Sequence, residues 1–362
     1  MNPATCKVAA RRRSRFHAAS TLALASLCVA ALPAQQTLRI ADLAVRYDVV
    51  DLGLSPGSNP TGLSNSGHLT GLYFATGGQR RAFLFGGGLL SDIGTLGGIA
   101  QSSAVSDLGV VVGYSVDLQN RQRAIRVQNG VMTDLGTLHN GTHAAANDVN
   151  NAGWIVGMSE RRQGNETWQR AALWRNGTVQ DLGTFGGEYS EAKAVNEAGQ
   201  VVGWAWYPPP NRLMRAFVWS SGAGMVDLGT LGGSTSVALD VNDLGVVVGS
   251  ANVAGGASHA FVWTSQGGMM DLGVPAGTDE SFAVAINNAG QILGSCFLPL
   301  ECRVEPLLWE KGVLYRLNDL IDPASGWTIV EAADIDDSGV IAATARQGGA
   351  YLPVLLVPAT GQ

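Results

Sequence analysis

The sequence has few charges, few cysteines and no long apolar segment. Only 14% of the 362 residues are charged, four are Cys, and the longest apolar run, 18–32, has 15 residues. A run of that length is too short to span a bilayer comfortably. Glycine, in contrast, occurs 48 times. This composition is typical of many short strands joined by tight turns, and it argues against a helical protein.

The apolar run follows a basic segment at the N-terminus. Lys7, Arg11 and Arg15 lie before it, and small residues ending at Ala34 come after it. This order indicates a Sec-type signal peptide over residues 1–34, followed by a short polar lead-in over 35–43. The alternative is an uncleaved anchor helix. We expect export to the extracellular space or the periplasm, without a stable membrane anchor.

Positive charge becomes scarce once the leader is set aside. Beyond Ala34 the chain has 18 Lys and Arg against 29 Asp and Glu, a net charge of −11. An acidic exported chain is a poor partner for nucleic acid or an anionic membrane surface. Two cysteines remain, Cys296 and Cys302, close together in sequence. In an oxidising compartment we expect them to form a disulfide, and the alternative is two free thiols.

Motifs of common enzyme families are missing. The chain has no Gly-x-Ser-x-Gly, no His-Glu-x-x-His and no phosphate-binding loop. His139 and His143 share one loop, but no third metal ligand accompanies them. The sequence therefore predicts no catalytic residue, no metal site and no cofactor.

Internal repetition is the strongest pattern present. Tight turns closing on glycine recur 42 to 49 residues apart, and three residues before each glycine stands Ser, Asn or Asp. Such side chains cap turns by accepting a backbone N–H, and glycine supplies the positive φ that closes them. The turn glycines are Gly67, Gly109, Gly153, Gly199, Gly245, Gly290 and Gly339.

Each repeat holds four short alternating strands, here called A to D. A repeated four-stranded unit of this length predicts a β-propeller, all-β and seven-bladed, over residues 44–358. The last unit lacks strand D, and an isolated D-like segment, 46–53, stands at the other end of the repeats. We therefore expect Val49 to Leu52 to pair with Val354 to Leu356 and close the ring. The alternative is an open β-solenoid.

The repeats also resemble a known family. Asp227-Leu228-Gly229-Thr230-Leu231-Gly232-Gly233, the Asn-Asp-x-Gly turns and His259-Ala260-Phe261 are similar to the HAF family of probable extracellular repeat proteins. The resemblance covers about residues 46–357. It implies a secreted bacterial repeat protein, and it supplies no catalytic residues.

Variation between the repeats is concentrated in the B–C loops. The A–B and C–D turns are short and uniform, whereas the B–C loops differ in length and content, and variable loops on a regular scaffold commonly carry binding. The alternative is loop drift, with aromatic residues covering blade edges. The candidate binding residues are Arg161, Arg162, Trp168, Trp206 and Tyr207.

Three carboxylates share one repeat position on the innermost strand. Asp148, Asp240 and Asp334 lie on strand A of blades 3, 5 and 7 and could ring the central channel. Such carboxylates could hold a cation, supply the acid and base of a glycosidase or lyase, or serve as a polar lining or as hydrogen-bond acceptors for neighbouring turns. Our first hypothesis is a secreted non-catalytic binding or scaffold module for a protein or glycan. The second is a carbohydrate-active enzyme that uses these carboxylates.

A charge pattern also repeats between strands C and D. Strand C opens with a cation and strand D ends with an acid in blades 1 to 5, and both signs reverse in blade 6, at Glu305 and Arg316. The hairpin register places each pair diagonally on one face. We therefore expect a cross-strand ion pair in each of blades 1 to 6.

Overall fold

A ring of seven four-stranded antiparallel sheets makes up the part of the chain that the structure describes. The computed structural model describes residues 46–75, 77–299 and 301–359. Each sheet is one blade of a β-propeller, with strand A innermost and strand D outermost, so the predicted fold class is confirmed. The predicted signal peptide and the lead-in over 35–43 lie outside the described residues.

The strands follow the repeats in chain order. Blade 7 takes its outer strand from the start of the described chain, β1 (Tyr47–Asp51). Blade 1 contains β2 (Asn59–Leu63), β3 (Leu69–Phe74), β4 (Arg80–Gly86) and β5 (Leu89–Asp92). Blade 2 contains β6 (Gly97–Val105), β7 (Val111–Asp117), β8 (Gln122–Gln128) and β9 (Val131–Asp134). Blade 3 contains β10 (Ala144–Val149), β11 (Ile155–Gln163), β12 (Glu166–Arg175) and β13 (Thr178–Asp181).

The second half of the ring repeats this order. Blade 4 contains β14 (Ser190–Val195), β15 (Val201–Trp206), β16 (Met214–Ser220) and β17 (Gly224–Asp227). Blade 5 contains β18 (Gly232–Val241), β19 (Val247–Val253), β20 (Ser258–Thr264) and β21 (Gly268–Asp271). Blade 6 contains β22 (Phe282–Ile286), β23 (Ile292–Leu298), β24 (Arg303–Glu310) and β25 (Val313–Arg316). Blade 7 adds β26 (Thr328–Ile335), β27 (Ile341–Gln347) and β28 (Ala350–Pro358).

A β-bulge interrupts strand A in every blade at one repeat position. A bulge adds one unpaired residue and turns the strand locally. It therefore changes which side chains face the channel and the neighbouring blade just before each A–B turn. The bulged residues are Thr61, Ser103, Asn147, Lys193, Leu239, Val284 and Ala333.

The hydrophobic core lies between adjacent blades rather than in one central mass. Phe217 of blade 4, for example, packs in a cluster with Val156 and Leu173 of blade 3. Each blade can bury its apolar faces only against its neighbours, so stability depends on a closed ring.

The ring closes as the sequence predicts. β1 pairs with β28, placing Val49 opposite Leu356 and Asp51 opposite Val354. The backbone N–H groups of Arg46 and Tyr47 also donate to Leu320 O, at 2.8 and 3.1 Å. Leu320 belongs to the connection between blades 6 and 7, which contains two short 3-10 turns, Leu317–Asp319 and Pro323–Ser325. These two turns are the only helical elements of the described residues, and neither is long enough to cross a membrane.

The predicted disulfide between Cys296 and Cys302 is wrong. Cys296 is a free, fully buried thiol on β23. Its partner across the hairpin is Glu305, whereas Cys302 lies in the turn beyond the Leu298–Arg303 pair. A strand advances about 3.3 Å per residue, so the two cysteines are offset along the hairpin by more than a disulfide spans.

The predicted C–D pairs form in blades 1 to 5, as Arg–Asp ion pairs in blades 1 to 4 and as a hydrogen bond between His259 and Asp271 in blade 5. Their N–O distances run from 2.8 to 3.9 Å, and Ile125 faces Asp134 as expected. The prediction is wrong for blade 6. Glu305 is almost completely buried and accepts instead from Arg303 and from Asn318, which lies in the inserted 3-10 turn. The five pairs are Arg81–Asp92, Arg123–Asp134, Arg170–Asp181, Arg215–Asp227 and His259–Asp271.

Candidate functional site

The three candidate channel carboxylates line the A–B end of the central channel. Asp148, Asp240 and Asp334 each follow the bulge of their strand A and face a cavity of about 250 Å³. In the other four blades the same repeat position is small. Those residues are Gly62, Ala104, Ala194 and Ala285.

Each of these carboxylates connects two blades. One oxygen accepts the N–H of the following residue in its own strand, at 2.7 to 2.8 Å. The other oxygen accepts a backbone N–H from strand A of the next blade, also at 2.7 to 2.8 Å. These donors are Val195 for Asp148, Ile286 for Asp240 and Leu63 for Asp334. The bond from Leu63 to Asp334 joins blade 1 to blade 7.

The same carboxylates are hard to ionise. Removal from water raises the pKa of Asp148 to about 6, of Asp334 to about 7 and of Asp240 to about 8. For Asp240 the charge of Asp334 raises the pKa further, while the N–H donors oppose the shift. Near-neutral pKa values are common among groups that act in acid–base catalysis. In these three carboxylates, however, both oxygens already accept backbone N–H groups, so the raised pKa values do not by themselves indicate catalysis.

A ladder of amides runs around the same end of the ring. The Asn residues that cap the A–B turns each donate from Nδ2 to the backbone carbonyl of the next blade's capping residue, at 2.9 to 3.1 Å. The ladder covers blades 3 to 7. Blades 1 and 2 have Ser64 and Ser106 instead, whose hydroxyls accept within their own turns. The amide donors are Asn150, Asn196, Asn242 and Asn287.

A second ring of side chains, which the sequence reasoning missed, forms the rim of the channel. In every blade a backbone N–H of the A–B turn donates to a side-chain oxygen of the next blade, at 2.8 to 3.2 Å, and the ring closes from Asp337 to Asn65. One signal was available, because the residue after each turn cap is always Asn, Asp or Glu. These residues are Asn65, Asp107, Asn151, Glu197, Asp243, Asn288 and Asp337.

Three of the five candidate binding residues lie on the long B–C hairpin of blade 3. Arg161 faces Trp168 across the hairpin and forms an ion pair with Asp181 at 3.3 Å. The guanidinium of Arg170 lies 5.7 Å from the centroid of the Trp168 ring. Arg162 is exposed. Arg161 is therefore engaged in an ion pair, whereas Arg162 is accessible to a ligand.

The other two candidates lie in the B–C region of blade 4. Trp206 contacts Tyr189 edge to face, with ring centroids 5.5 Å apart. Tyr207 stacks on Phe185 at 5.0 Å, and its hydroxyl donates to Asp227 at 3.0 Å. Within the described residues, the buried indole N–H of Trp206 has no hydrogen-bond acceptor. A buried donor without a partner is unfavourable and needs an explanation.

A cavity of about 330 Å³ lies next to Tyr207. A proline-rich loop over 208–210 forms one wall, and Asn211, Arg215 and Asp227 supply polar groups. Tyr207 and the prolines give the cavity flat apolar surfaces. The five candidates are therefore not spread over the ring but gather on two neighbouring blades.

The two loop histidines have structural partners. His143 Nδ1 lies 3.1 Å from Glu160 Oε2, and His139 Nε2 lies 3.0 Å from the side-chain amide of Asn140. Hydrogen bonds from Thr142 and His143 lower the pKa of Glu160 despite partial burial. In the described part of the chain, no group of three or more His, Cys, Asp or Glu side chains is arranged to hold a metal ion.

Comparisons with known proteins bear on the fold. No protein-family model matches the chain, and no curated protein matches it. Among solved structures, a puromycin-hydrolyzing peptidase from Mycobacterium tuberculosis is similar over 90% of this chain at 13% identity, with a TM-score of 0.54. This chain spans about half of that peptidase, 54% of its length. A likeness at this identity concerns the fold alone.

Two further structures have lower scores. A gluconolactonase from Xanthomonas campestris is matched over 87% of this chain and 93% of its own at 12% identity, with a TM-score of 0.39. The β-propeller domain of the Trilobed protease from Pyrococcus furiosus is matched over 74% of this chain and 99% of its own at 9% identity, with a TM-score of 0.38.

Proposed function

We propose that this chain is an exported, non-catalytic binding module of the HAF repeat type. Its binding surface is the B–C region of blades 3 and 4, which we call the aromatic face and define by Trp168, Tyr189, Trp206 and Tyr207. The leader predicted over residues 1–34 supports export, and the repeat motifs support the family resemblance.

The observation that carries the proposal is the aromatic surface beside Trp206, where Tyr189 is 36% exposed and Tyr207 lines a cavity. Aromatic side chains that combine an apolar ring with a hydrogen-bonding group are typical anchors of binding surfaces. The adjacent cavity adds the flat surfaces of Tyr207 and the prolines and the amide of Asn211, beside the paired side chains of Arg215 and Asp227, and apolar surfaces with a few polar groups are typical of ligand sites. A glycan is therefore the ligand class that we favour.

The alternative, a carbohydrate-active enzyme, has less support. A general acid or base needs an oxygen that can reach the substrate proton. Both oxygens of Asp148, Asp240 and Asp334 accept backbone N–H groups of their own or the next blade. The hydrogen bonding of these three carboxylates thus favours a structural role.

A glycan and protein array probed with the purified chain 35–362 tests the proposal. We expect saturable binding to one class of glycan, weakened at least tenfold by Asn211→Ala and by Trp168→Ala. The matched control is Leu244→Ala, an exposed apolar residue on the opposite, A–B face, and it should leave binding unchanged. Loss of glycan binding in Leu244→Ala would contradict the proposed binding surface. Hydrolysis of an arrayed glycan would contradict the non-catalytic role.

A further inference from the structure

The interface between blades 6 and 7 contains a cleft of about 510 Å³. Its walls are mainly apolar and include Val284, Val304, Pro306 and Ala332. A volume of this size is within the range of small-molecule sites, which are commonly apolar with a few polar groups. The cleft lies three blades away from the aromatic face and is independent of it.

The repeats explain why space opens at this interface. The residue five positions after each turn glycine projects from strand B, and in most blades it is large. Blade 6 has Ser295 there. The same position holds Leu72, Tyr114, Met158, Trp204, Ser250, Ser295 and Thr344 in blades 1 to 7. Blade 5 also has serine, but its bulged residue is Leu239 and the facing position of blade 6 holds Phe282.

The corresponding space between blades 3 and 4 provides a direct comparison. There the carboxylate of Glu191 accepts from Asn147 at 2.9 Å, from Gln169 at 3.3 Å and from Lys193. The repeat places Glu331 of blade 7 where Glu191 stands in blade 4. The positions of its two amide partners, however, are taken by Val284 and Val304.

Glu331 is therefore an acid without a protein partner at the edge of an apolar cleft. It is exposed, and among the described residues no hydrogen bond or ion pair reaches its carboxylate. Arg303 also lines the cleft, but its guanidinium is held by Glu301, at 2.6 Å, and by Glu305. The free charge that the cleft presents is negative.

We propose that the cleft binds a small apolar molecule carrying a primary amine, with the ammonium group on Glu331 and the apolar body between Val284 and Val304. The exposed side chain of Val304, 49% accessible, gives the apolar body a surface to cover. The amine replaces the Asn147 and Gln169 donors of the equivalent space in blades 3 and 4.

Calorimetric titration with three related probes tests the charge preference. Tryptamine is an indole with an ammonium group, skatole is neutral, and indole-3-propionate is an anion. We expect tryptamine to bind saturably at millimolar concentration and indole-3-propionate to bind at least tenfold more weakly. Equal binding of the two charged probes, or no binding of any probe, would overturn the proposal.

Two variants test the position of the site. Ser295→Met copies Met158 of blade 3 and should fill the cleft, weakening tryptamine binding at least tenfold at an unchanged Tm. Glu331→Gln should weaken tryptamine about tenfold and leave skatole unaffected, whereas Glu166→Gln, an exposed carboxylate on blade 3, should change neither. If Ser295→Met lowers the Tm, its loss of binding could come from a perturbed fold, and the Glu331→Gln result then decides whether the cleft is the binding site. If Glu331→Gln binds tryptamine with the same affinity as the wild-type chain, the ammonium group does not contact Glu331 and the inference is refuted.

Discussion

The two ends of the propeller are built on different principles. At the A–B end every blade contributes the same turn, and polar side chains connect each blade to the next through a complete rim. At the B–C end the loops differ, and their polar groups bond mainly within one blade, as Arg161 does with Asp181. One end therefore holds the ring together, and the other is free to vary.

This difference separates residues that look equivalent in sequence. Acidic residues at the A–B end, such as Asp148 and Asp243, act as acceptors for a neighbouring blade. Aromatic residues at the B–C end, such as Trp206 and Tyr207, contact other loop aromatics and a cavity. Substitutions at the first end should alter stability, and substitutions at the second should alter binding.

The largest effect is expected from removing the closing strand. A chain that begins at Leu54 lacks β1, which exposes β28 as an open edge and removes the contacts of Tyr47 with the blade 6–7 connection. We expect aggregation or loss of cooperative unfolding, equivalent to more than about 4 kcal/mol. The control chain begins at residue 44 and should unfold like the full chain. A soluble, equally stable chain from Leu54 would refute ring closure as the source of stability.

The closing strand was predictable because its evidence is local and repeated. Val49 to Leu52 has the same Asp-Leu-Gly ending as the D strands of other blades, so its place could be read by comparison. The turn caps, such as Asn242, were equally visible. Both features depend on residues near one another in sequence.

The contacts between blades were not predictable in the same way. The bond from Val195 to Asp148 spans 47 residues and depends on how far the bulge turns strand A towards the next blade. The repeat position of Asp148 predicts that it lies in the channel, but it does not identify the donors to its carboxylate. The error at Glu305 has the same origin, since the inserted 3-10 turn supplies Asn318 as its partner, whereas the error at Cys296 is local and follows from the offset of the two cysteines along one hairpin.

The next largest effect should follow the loss of an inter-blade carboxylate. Asp334→Ala leaves the N–H groups of Leu63 and Ile335 without their acceptor at the junction of blades 7 and 1. We expect a loss of about 2–3 kcal/mol in denaturant unfolding. Asp334→Asn keeps one acceptor oxygen, so its free energy of unfolding should fall by less than that of Asp334→Ala. An Ala variant as stable as the Asn variant would show that these bonds contribute little.

The same carboxylates predict a pH dependence. Because the folded pKa of Asp240, about 8, exceeds its ordinary value of 3.8, the folded state binds the proton more tightly than the unfolded state. Stability should therefore fall as the pH rises from about 4 to about 8 and then level off. Tm measured across this range should show a weaker decline in Asp240→Asn. An equally steep decline in that variant would assign the effect to other groups.

A smaller effect is expected from shortening the amide ladder. Asn242→Ser retains an acceptor for the turn, as Ser64 and Ser106 do in blades 1 and 2, but loses the Nδ2 donor to Asn287 O. We expect a loss of about 1 kcal/mol. Denaturant unfolding of Asn242→Ser and Asn242→Ala should separate the two roles, with Ala losing more. Equal losses would mean that the inter-blade donor dominates.

The smallest effect concerns the C–D ion pairs, which join two strands of one blade, although Arg123 also donates to Thr142 O, before strand A of blade 3, at 3.4 Å. The distance between Arg123 and Asp134 is 2.8 Å, but the carboxylate is 38% exposed, so the pair should contribute no more than about 0–1 kcal/mol. Arg316 occupies the reversed position in blade 6, where Glu305 is bound by Arg303 and Asn318 instead.

The two arginines therefore form a matched test. Arg123→Gln should lower the free energy of unfolding slightly, with the loss shrinking in high salt as the charges are screened. Arg316→Gln should change it by less, because it breaks no ion pair to Glu305. If Arg316→Gln lowered the free energy of unfolding as much as Arg123→Gln does, with the same dependence on salt, Glu305 and Arg316 would interact after all. The C–D charges of all six blades would then fix hairpin register in the same way.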